Sequence, residues 1–388
     1  MAFSNHHVRR MNQVALEITE KWIQDVLIPC TKEGKSFDPS KEMISITLEA
    51  ICKTAFEYDI SEEEKEAFVS NLKLSLNEFL TKSINNPLRK FLGTWLPDRR
   101  RALEAAKANA AFAKKIIANY RANPNPLKGT IIDCLVNNPC YKSDDELAAD
   151  VNMFLIAGHD TTAYSVAFAL LELARNKDEQ TKVREDLWRV EREDNNINID
   201  ITTNNNNNNN SAECENNGPQ HERRNSTSKC ITDTWKKSDA LHMAIKESMR
   251  LYPVSASGSS RVCGREFVTK EGWIIPKGTS VVSHIMMTHR NKTVFGANAD
   301  EFVPSRWIKP TQDQKDSLLS FSAGKQNCVG QSLAKAEVHC IVPRILSEVE
   351  LEVEDEGAIT WFMTLKPIGA RLKPRFISKE QRSKVTMR

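Results

Sequence analysis

The sequence predicts a mainly α-helical fold with a minor β portion. Apolar residues recur at three- and four-residue steps through most of the first 190 positions. One uninterrupted helical pattern runs from Asp145 to Asn176, and β-prone runs gather only after Trp273. The chain has 388 residues, 40% hydrophobic and 27% charged, enough for a sizeable apolar core. Fifty-four Lys plus Arg against 51 Asp plus Glu give a net charge of +3. That balance argues against a basic surface built to grip nucleic acid. Nine cysteines without a CxxC pair argue against a zinc site and against a dense disulfide framework.

Each element has a local signal. Met11, Val14, Ile18, Trp22 and Val26 form one helical stripe. Asp38 before Pro39 reads as an N-cap followed by a favoured first helical residue, opening a helix to about Phe56. Further helices are expected over 62–83 and 99–122. Between them, Leu88, Phe91, Leu92, Trp95 and Leu96 stand among basic residues in PLRKFLGTWLPDRRR. Packing of this loop onto the core is the favoured reading, ahead of a membrane contact or a substrate entrance. The pattern from Asp145 to Asn176 would extend about 50 Å at the helical rise, and a charged helix follows over 178–193.

Residues 195–229 break the pattern. They hold the run Asn204 to Asn210 and hardly any large apolar side chain, so they read as a disordered insertion. Beyond it come a helix over 238–251, strands around a Pro276–Thr279 turn, and a last helix from near Cys328 to about Val349. Short strands follow to Phe376. Residues 1–376 read as a single domain and 377–388 as a basic tail. The N-terminus lacks the apolar block of a signal peptide, and no stretch reaches about 18 consecutive apolar residues, so no membrane anchor is expected in the chain.

Four segments carry chemistry. In Phe321–Gly330, FSAGKQNCVG, Gly324 and Gly330 allow tight turning around Cys328 at the threshold of a helix. Backbone N–H groups and the helix dipole there favour thiolate, the form that ligates metal; a buried cysteine before an ordinary helix is the alternative. KESMR sets Glu247 and Arg250 on one helical face, and PSRW supplies Arg306 beside a proline-fixed turn. One carboxylate between two guanidiniums makes a charge-assisted network. Ala157–Thr162, AGHDTT, puts weak helix formers mid-helix, and Asp160 beside Thr161 suits proton relay. For His159 a packing role is favoured over metal ligation.

Taken in this order, the four segments resemble the cytochrome P450 family. AGHDTT is similar to its central-helix motif, KESMR to its E-x-x-R helix, PSRW to its P-x-R-[FW] segment and FSAGKQNCVG to its haem-binding loop. The resemblance covers about residues 1–376 outside the insertion. It implies a P450-like fold missing its N-terminal sheet and first helices. It implies haem b, with Cys328 as axial thiolate ligand of the iron and Phe321, Gly324 and Gly330 shaping the loop. Gln326 stands where the family usually has Arg or His reaching a propionate, and Arg261 is a weaker match to a propionate contact. Asp160 and Thr161 would deliver protons to dioxygen, while Glu247, Arg250 and Arg306 would form a structural triad.

The implied activity is a monooxygenase inserting one oxygen atom from dioxygen into a small apolar organic substrate. Electrons would come from NADPH via a reductase. A haem-thiolate isomerase or lyase, or a catalytically silent haem-binding remnant, are the alternatives. The resemblance implies an endoplasmic reticulum membrane location for a full-length protein, with membrane contact through an anchor absent from this chain.

Overall fold

The computed structural model describes residues 5–92, 95–207 and 231–378. It divides into two compact units. One comprises Met1–Lys21, Lys41–Ala163 and Gly330–Glu337, the other Trp22–Ser40, Tyr164–Val329 and Val338–Arg388. Helices Asp144–Arg175, the long helix, and Gln331–Glu348, the terminal helix, each contribute long stretches to both. The long helix is long and apolar enough to cross a membrane by length and composition, and 61% of its most apolar window is buried inside the protein.

The first unit is helical. Met11, Leu48, Ile51, Phe56, Phe68, Ile116, Ile132, Leu155 and Leu333 belong to one buried cluster fed by most of its helices. Helix Glu62–Leu76 opens with a reciprocal cap. The Ser61 hydroxyl accepts from the Glu64 N–H at 3.3 Å, and the Glu64 carboxylate accepts from the Ser61 N–H at 3.0 Å. Helical winding then continues through a π-turn to Asn85, as the 62–83 pattern predicts.

The loop that follows reverses its expected orientation. Phe91 is 87% and Trp95 90% exposed, and Leu88 and Leu92 are exposed beside them. Polar groups take the interior instead. Glu78, 2% exposed, accepts from Arg89, Arg99 and Ser83, and Asp98 accepts from Lys82 and Arg89. A buried carboxylate requires its partners, so Glu78 draws both arginines inward and the apolar side chains between them face out. The expectation that this loop packs on the core is therefore wrong.

The second unit combines helices with two-stranded antiparallel pairs. Its strands are β1 (Ser260–Val262), β2 (Phe267–Val268), β3 (Ile274–Ile275), β4 (Ser280–Val282), β5 (Val349–Asp355), β6 (Ala358–Phe362), β7 (Thr364–Ile368) and β8 (Arg371–Phe376). They pair β1–β4, β2–β3, β5–β8 and β6–β7. Phe37 bridges to Leu372 of β8 and packs edge-on to Trp22 at 5.5 Å. The Asp38 carboxylate accepts from the Ser40 N–H at 2.8 Å, the cap expected ahead of helix Pro39–Ala55.

The N-terminal stripe is buried through Trp22, but the turn Ile23–Leu27 is π-helical. Its extra residue rotates the face, so Ile23 and Leu27 are buried and Val26 only half so. Gln180 and Arg184 stitch the next helix to β5 and to the end of the terminal helix. Gln180 accepts from the Leu351 N–H and donates to the Leu351 carbonyl, and Arg184 donates to the Leu346 carbonyl.

That helix, Lys177–Asn207, runs well into the segment read as disordered from residue 195. Once nucleated by 177–194, a helix gains one hydrogen bond per added residue at small entropic cost. The rest of the insertion, and the tail from 379, lie outside the described residues.

Candidate functional site

The long helix passes through AGHDTT without a break. Two of these residues serve packing. A Cβ on Gly158 would stand 1.8 Å from Ile51 Cδ1, so glycine lets helix Pro39–Ala55 approach. His159 is 1% exposed, with Nδ1 2.7 Å from the Leu155 carbonyl and its ring edge-on to Phe68. Burial holds its pKa below the ordinary value, so it stays a neutral imidazole. The Thr47 hydroxyl donates to the His159 carbonyl at 3.0 Å, a further tie between the two helices.

Asp160 and Thr161 occupy a different sector. Both are half-buried and share a side with the exposed Met153 and Ala157. The Thr161 hydroxyl donates to the Ala157 carbonyl at 2.7 Å. Thr162 is buried on another face, beside Glu337 of the terminal helix. Glu337 is 1% exposed and neither carboxyl oxygen has a hydrogen-bond partner. Desolvation, opposed weakly by Thr162, pushes its pKa up to about 8, so the carboxyl is mostly neutral at pH 7.

Cys328 lies in the second unit, in an exposed loop, and its thiol is free. Its N–H donates to the Phe321 carbonyl at 2.9 Å, closing the loop. Inside the closure, Ser322 and Gly324 adopt φ of 60° and 78°. A serine in the left-handed region costs free energy that glycine does not. Gln326 ends a 3₁₀ turn over Gly324–Gln326 and is exposed, while Phe321 is half-buried. Gly330 accepts from the Ala334 N–H at 2.9 Å at the start of the terminal helix.

The three charged residues expected as a triad meet. Glu247 and Arg250 have fully buried side chains, and Arg306 is nearly so. Arg250 grips Glu247 through two bonds, at 2.9 and 2.8 Å, and Arg306 adds one at 3.2 Å. The Trp307 indole N–H at 2.9 Å and the Val303 N–H at 3.1 Å complete the carboxylate's shell. Each guanidinium also reaches backbone carbonyls: Arg250 those of His289, Ala299 and Glu301, Arg306 those of Phe295 and Asn298. Arg261 stands apart on β1, exposed and donating to its neighbour's carbonyl at Ser260.

The Cytochrome P450 family profile matches residues 1–204 and 221–375. The chain belongs to the cytochrome P450 family. It is 26% identical to human Cytochrome P450 4F11 over 375 residues, a match covering 87% of this chain and 64% of that protein. It is likewise 26% identical to the Probable cytochrome P450 4e1 of Drosophila melanogaster over 391 residues, 94% of this chain and 67% of the relative. The chain thus spans about two thirds or less of the curated relatives it matches. The crystal structure of a cytochrome P450 (CYP102L1) superposes with a TM-score of 0.71 at 21% identity, covering 96% of this chain and 79% of that one. The cytochrome P450DA heme domain gives 0.72 at 19% identity. The fold expectation, mainly α with a minor β portion and P450-like, is borne out.

Sequence reasoning on this P450 missed Trp307 and Val303 as partners of Glu247, and it missed Glu337. Trp307 carried a readable signal, since a buried indole N–H needs an acceptor. Glu337 follows Leu333 by one helical turn on an apolar face, which marks it as buried without revealing its neighbours.

Proposed function

We propose that this chain carries the haem-binding and proton-delivering residues of a haem-thiolate monooxygenase. It would insert one oxygen atom from dioxygen into a small apolar organic substrate, with electrons from NADPH through a reductase. The supporting observation is Cys328, a free, exposed thiol in a loop that includes a left-handed Ser322. Backbone strain around an accessible ligand atom fits a functional site. The residues suit haem b: a thiol donor stands in an open loop, and the long helix leaves Met153 and Ala157 uncovered beside Thr161. Bound haem would supply oxygen activation, its thiolate ligand favouring O–O cleavage.

In this reading Cys328 holds the iron, Phe321, Gly324 and Gly330 shape its loop, and Gln326 and Arg261 serve the propionates. Gln326 does so as a neutral donor. Asp160 collects protons from solvent and Thr161 passes them inward. Its hydroxyl is anchored on the Ala157 carbonyl, and rotation of that hydroxyl would re-aim its proton. The family match on both sides of residues 205–220 supports reading 1–376 as one domain. The exposed Leu88, Phe91, Leu92 and Trp95 support contact with a membrane surface, in keeping with an endoplasmic reticulum location.

The test is a reduced, carbon-monoxide-bound absorption spectrum of the chain supplied with haem. A strongly red-shifted Soret band that Cys328→Ala abolishes is the expected result. Asp160→Asn and Thr161→Ala should keep that band and lose product formation at least tenfold. A band that survives Cys328→Ala overturns the ligand assignment, and wild-type turnover in both relay variants overturns the proton path.

A further inference from the structure

Away from the haem-loop residues, two imidazoles of the second unit face each other. His242 lies on helix Asp239–Leu251 and His339 on the terminal helix. Nδ1 of His242 is 2.8 Å from Nε2 of His339, with ring centroids 4.6 Å apart and planes inclined by 45°. Both rings are half-buried. On its other side, Nε2 of His242 is 2.8 Å from the Lys236 carbonyl.

Chemistry fixes the tautomer of His242. A carbonyl oxygen only accepts, so Nε2 carries the proton and the neutral ring turns its Nδ1 lone pair toward His339. His339 then donates its Nε2–H into that lone pair. An imidazole whose second N–H is anchored on a backbone carbonyl is prepared as a metal ligand, because the anchor sets its orientation and raises its basicity.

We propose that His242 and His339 form a two-imidazole transition-metal site, completed by water, that joins helix Asp239–Leu251 to the terminal helix. Two neutral imidazoles completed by water suit ions of the Ni²⁺, Cu²⁺ and Zn²⁺ class. The 2.8 Å separation is that of the N–H···N hydrogen bond in the metal-free pair. Binding requires both rings to swing off the N–N line, which their half-buried positions permit.

Proton balance is simple: the Nε2 proton of His339 moves to Nδ1 of the same ring, and none is released. The neighbouring lysines do not oppose a dication strongly, since Lys236 pairs with Asp233 at 2.7 Å and Lys237 with Asp194 at 2.6 Å. Among the described residues no cluster of three or more metal-ligating side chains occurs, so the affinity belongs to two ligands and is moderate.

Ni²⁺ is the probe, added after the exposed thiols, Cys328 among them, are blocked by alkylation, because thiolates also ligate this ion. Calorimetric titration of the full chain should show one equivalent bound, with a rise in melting temperature because the paired site exists only in the folded state. His242→Ala and His339→Ala should each weaken binding at least tenfold and abolish the rise, while His284→Ala changes neither. His242→Gln, which retains an amide near the Lys236 carbonyl, serves as the second variant where the alanine chain melts early. Wild-type Ni²⁺ affinity in folded His242 and His339 variants overturns the proposal, as does a wild-type chain that binds no Ni²⁺. Neither outcome depends on haem or on activity.

Discussion

Glu247 and Glu337 are both withdrawn from water, at 0% and 1% exposure, and their surroundings treat them oppositely. Glu247 accepts from two arginines, an indole and a backbone N–H. Glu337 has no hydrogen-bond partner on either oxygen. A buried carboxylate keeps its charge only inside a complete donor shell, and one without donors takes up a proton instead. The first arrangement fixes architecture, since the groups that complete it come from the helix, the PSRW turn and the loop between them. The second stores a proton beside Thr162, one residue beyond the proposed relay.

The largest effect should come from breaking the saturated shell. Glu247→Ala leaves the Arg250 guanidinium buried without its counter-charge, at a cost of about 3–5 kcal/mol. Urea unfolding should show a midpoint lowered accordingly, and a loss below about 1 kcal/mol would refute the architectural role. Close packing on the long helix, where no hydrogen bond is at stake, is probed by Gly158→Ala. The new methyl meets Ile51 at 1.8 Å, so a cost of about 1–3 kcal/mol is expected. Combining it with Ile51→Ala should recover part of the Gly158→Ala loss if this contact is its source.

The stored proton should appear in the pH dependence of stability. The folded pKa of Glu337, about 8, lies above its ordinary value of 4.5. The folded state therefore holds a proton that the unfolded chain releases between those limits. Its stabilisation is complete below pH 4.5, falls by at most about 1.4 kcal/mol per pH unit as pH rises toward 8, and is flat beyond. Glu337→Gln should remove this slope from denaturation curves taken across pH 5–8, and an unchanged slope would show that Glu337 ionises freely.

The smallest stability effect belongs to Cys328→Ser, since the thiol is exposed and free. It should change stability by no more than about 0.5 kcal/mol, while erasing the red-shifted band of the haem-loaded chain. A large stability loss in the haem-free chain would make Cys328 part of the architecture, like Glu247.

How much was legible depended on how local the cause was. Asp38 caps its helix through the N–H two residues on, and Ser238, the first residue of the helix expected over 238–251, accepts from the Leu241 N–H. Both follow from neighbouring residues. The ExxR pair was legible because i and i+3 share a helical face, and the Cys328 loop because glycine, cysteine and a helix start stand within ten positions. The packing role expected for His159 is met by Phe68 and the Leu155 carbonyl. The orientation of Leu88–Trp95 was not legible, because it follows from Glu78, earlier in the chain, claiming Arg89 and Arg99.

The sequence by itself determined where the main helices lie, which family the chain resembles, and which cysteine is the candidate ligand, since these rest on short-range pattern and spacing. Only the tertiary structure decided which charged groups are satisfied. It paired Glu247 with Trp307, left Glu337 without a donor, and brought His242 to within 2.8 Å of His339 across 97 positions. A residue's protonation and partners depend on what the fold packs around it, and one-dimensional spacing carries no record of that surrounding.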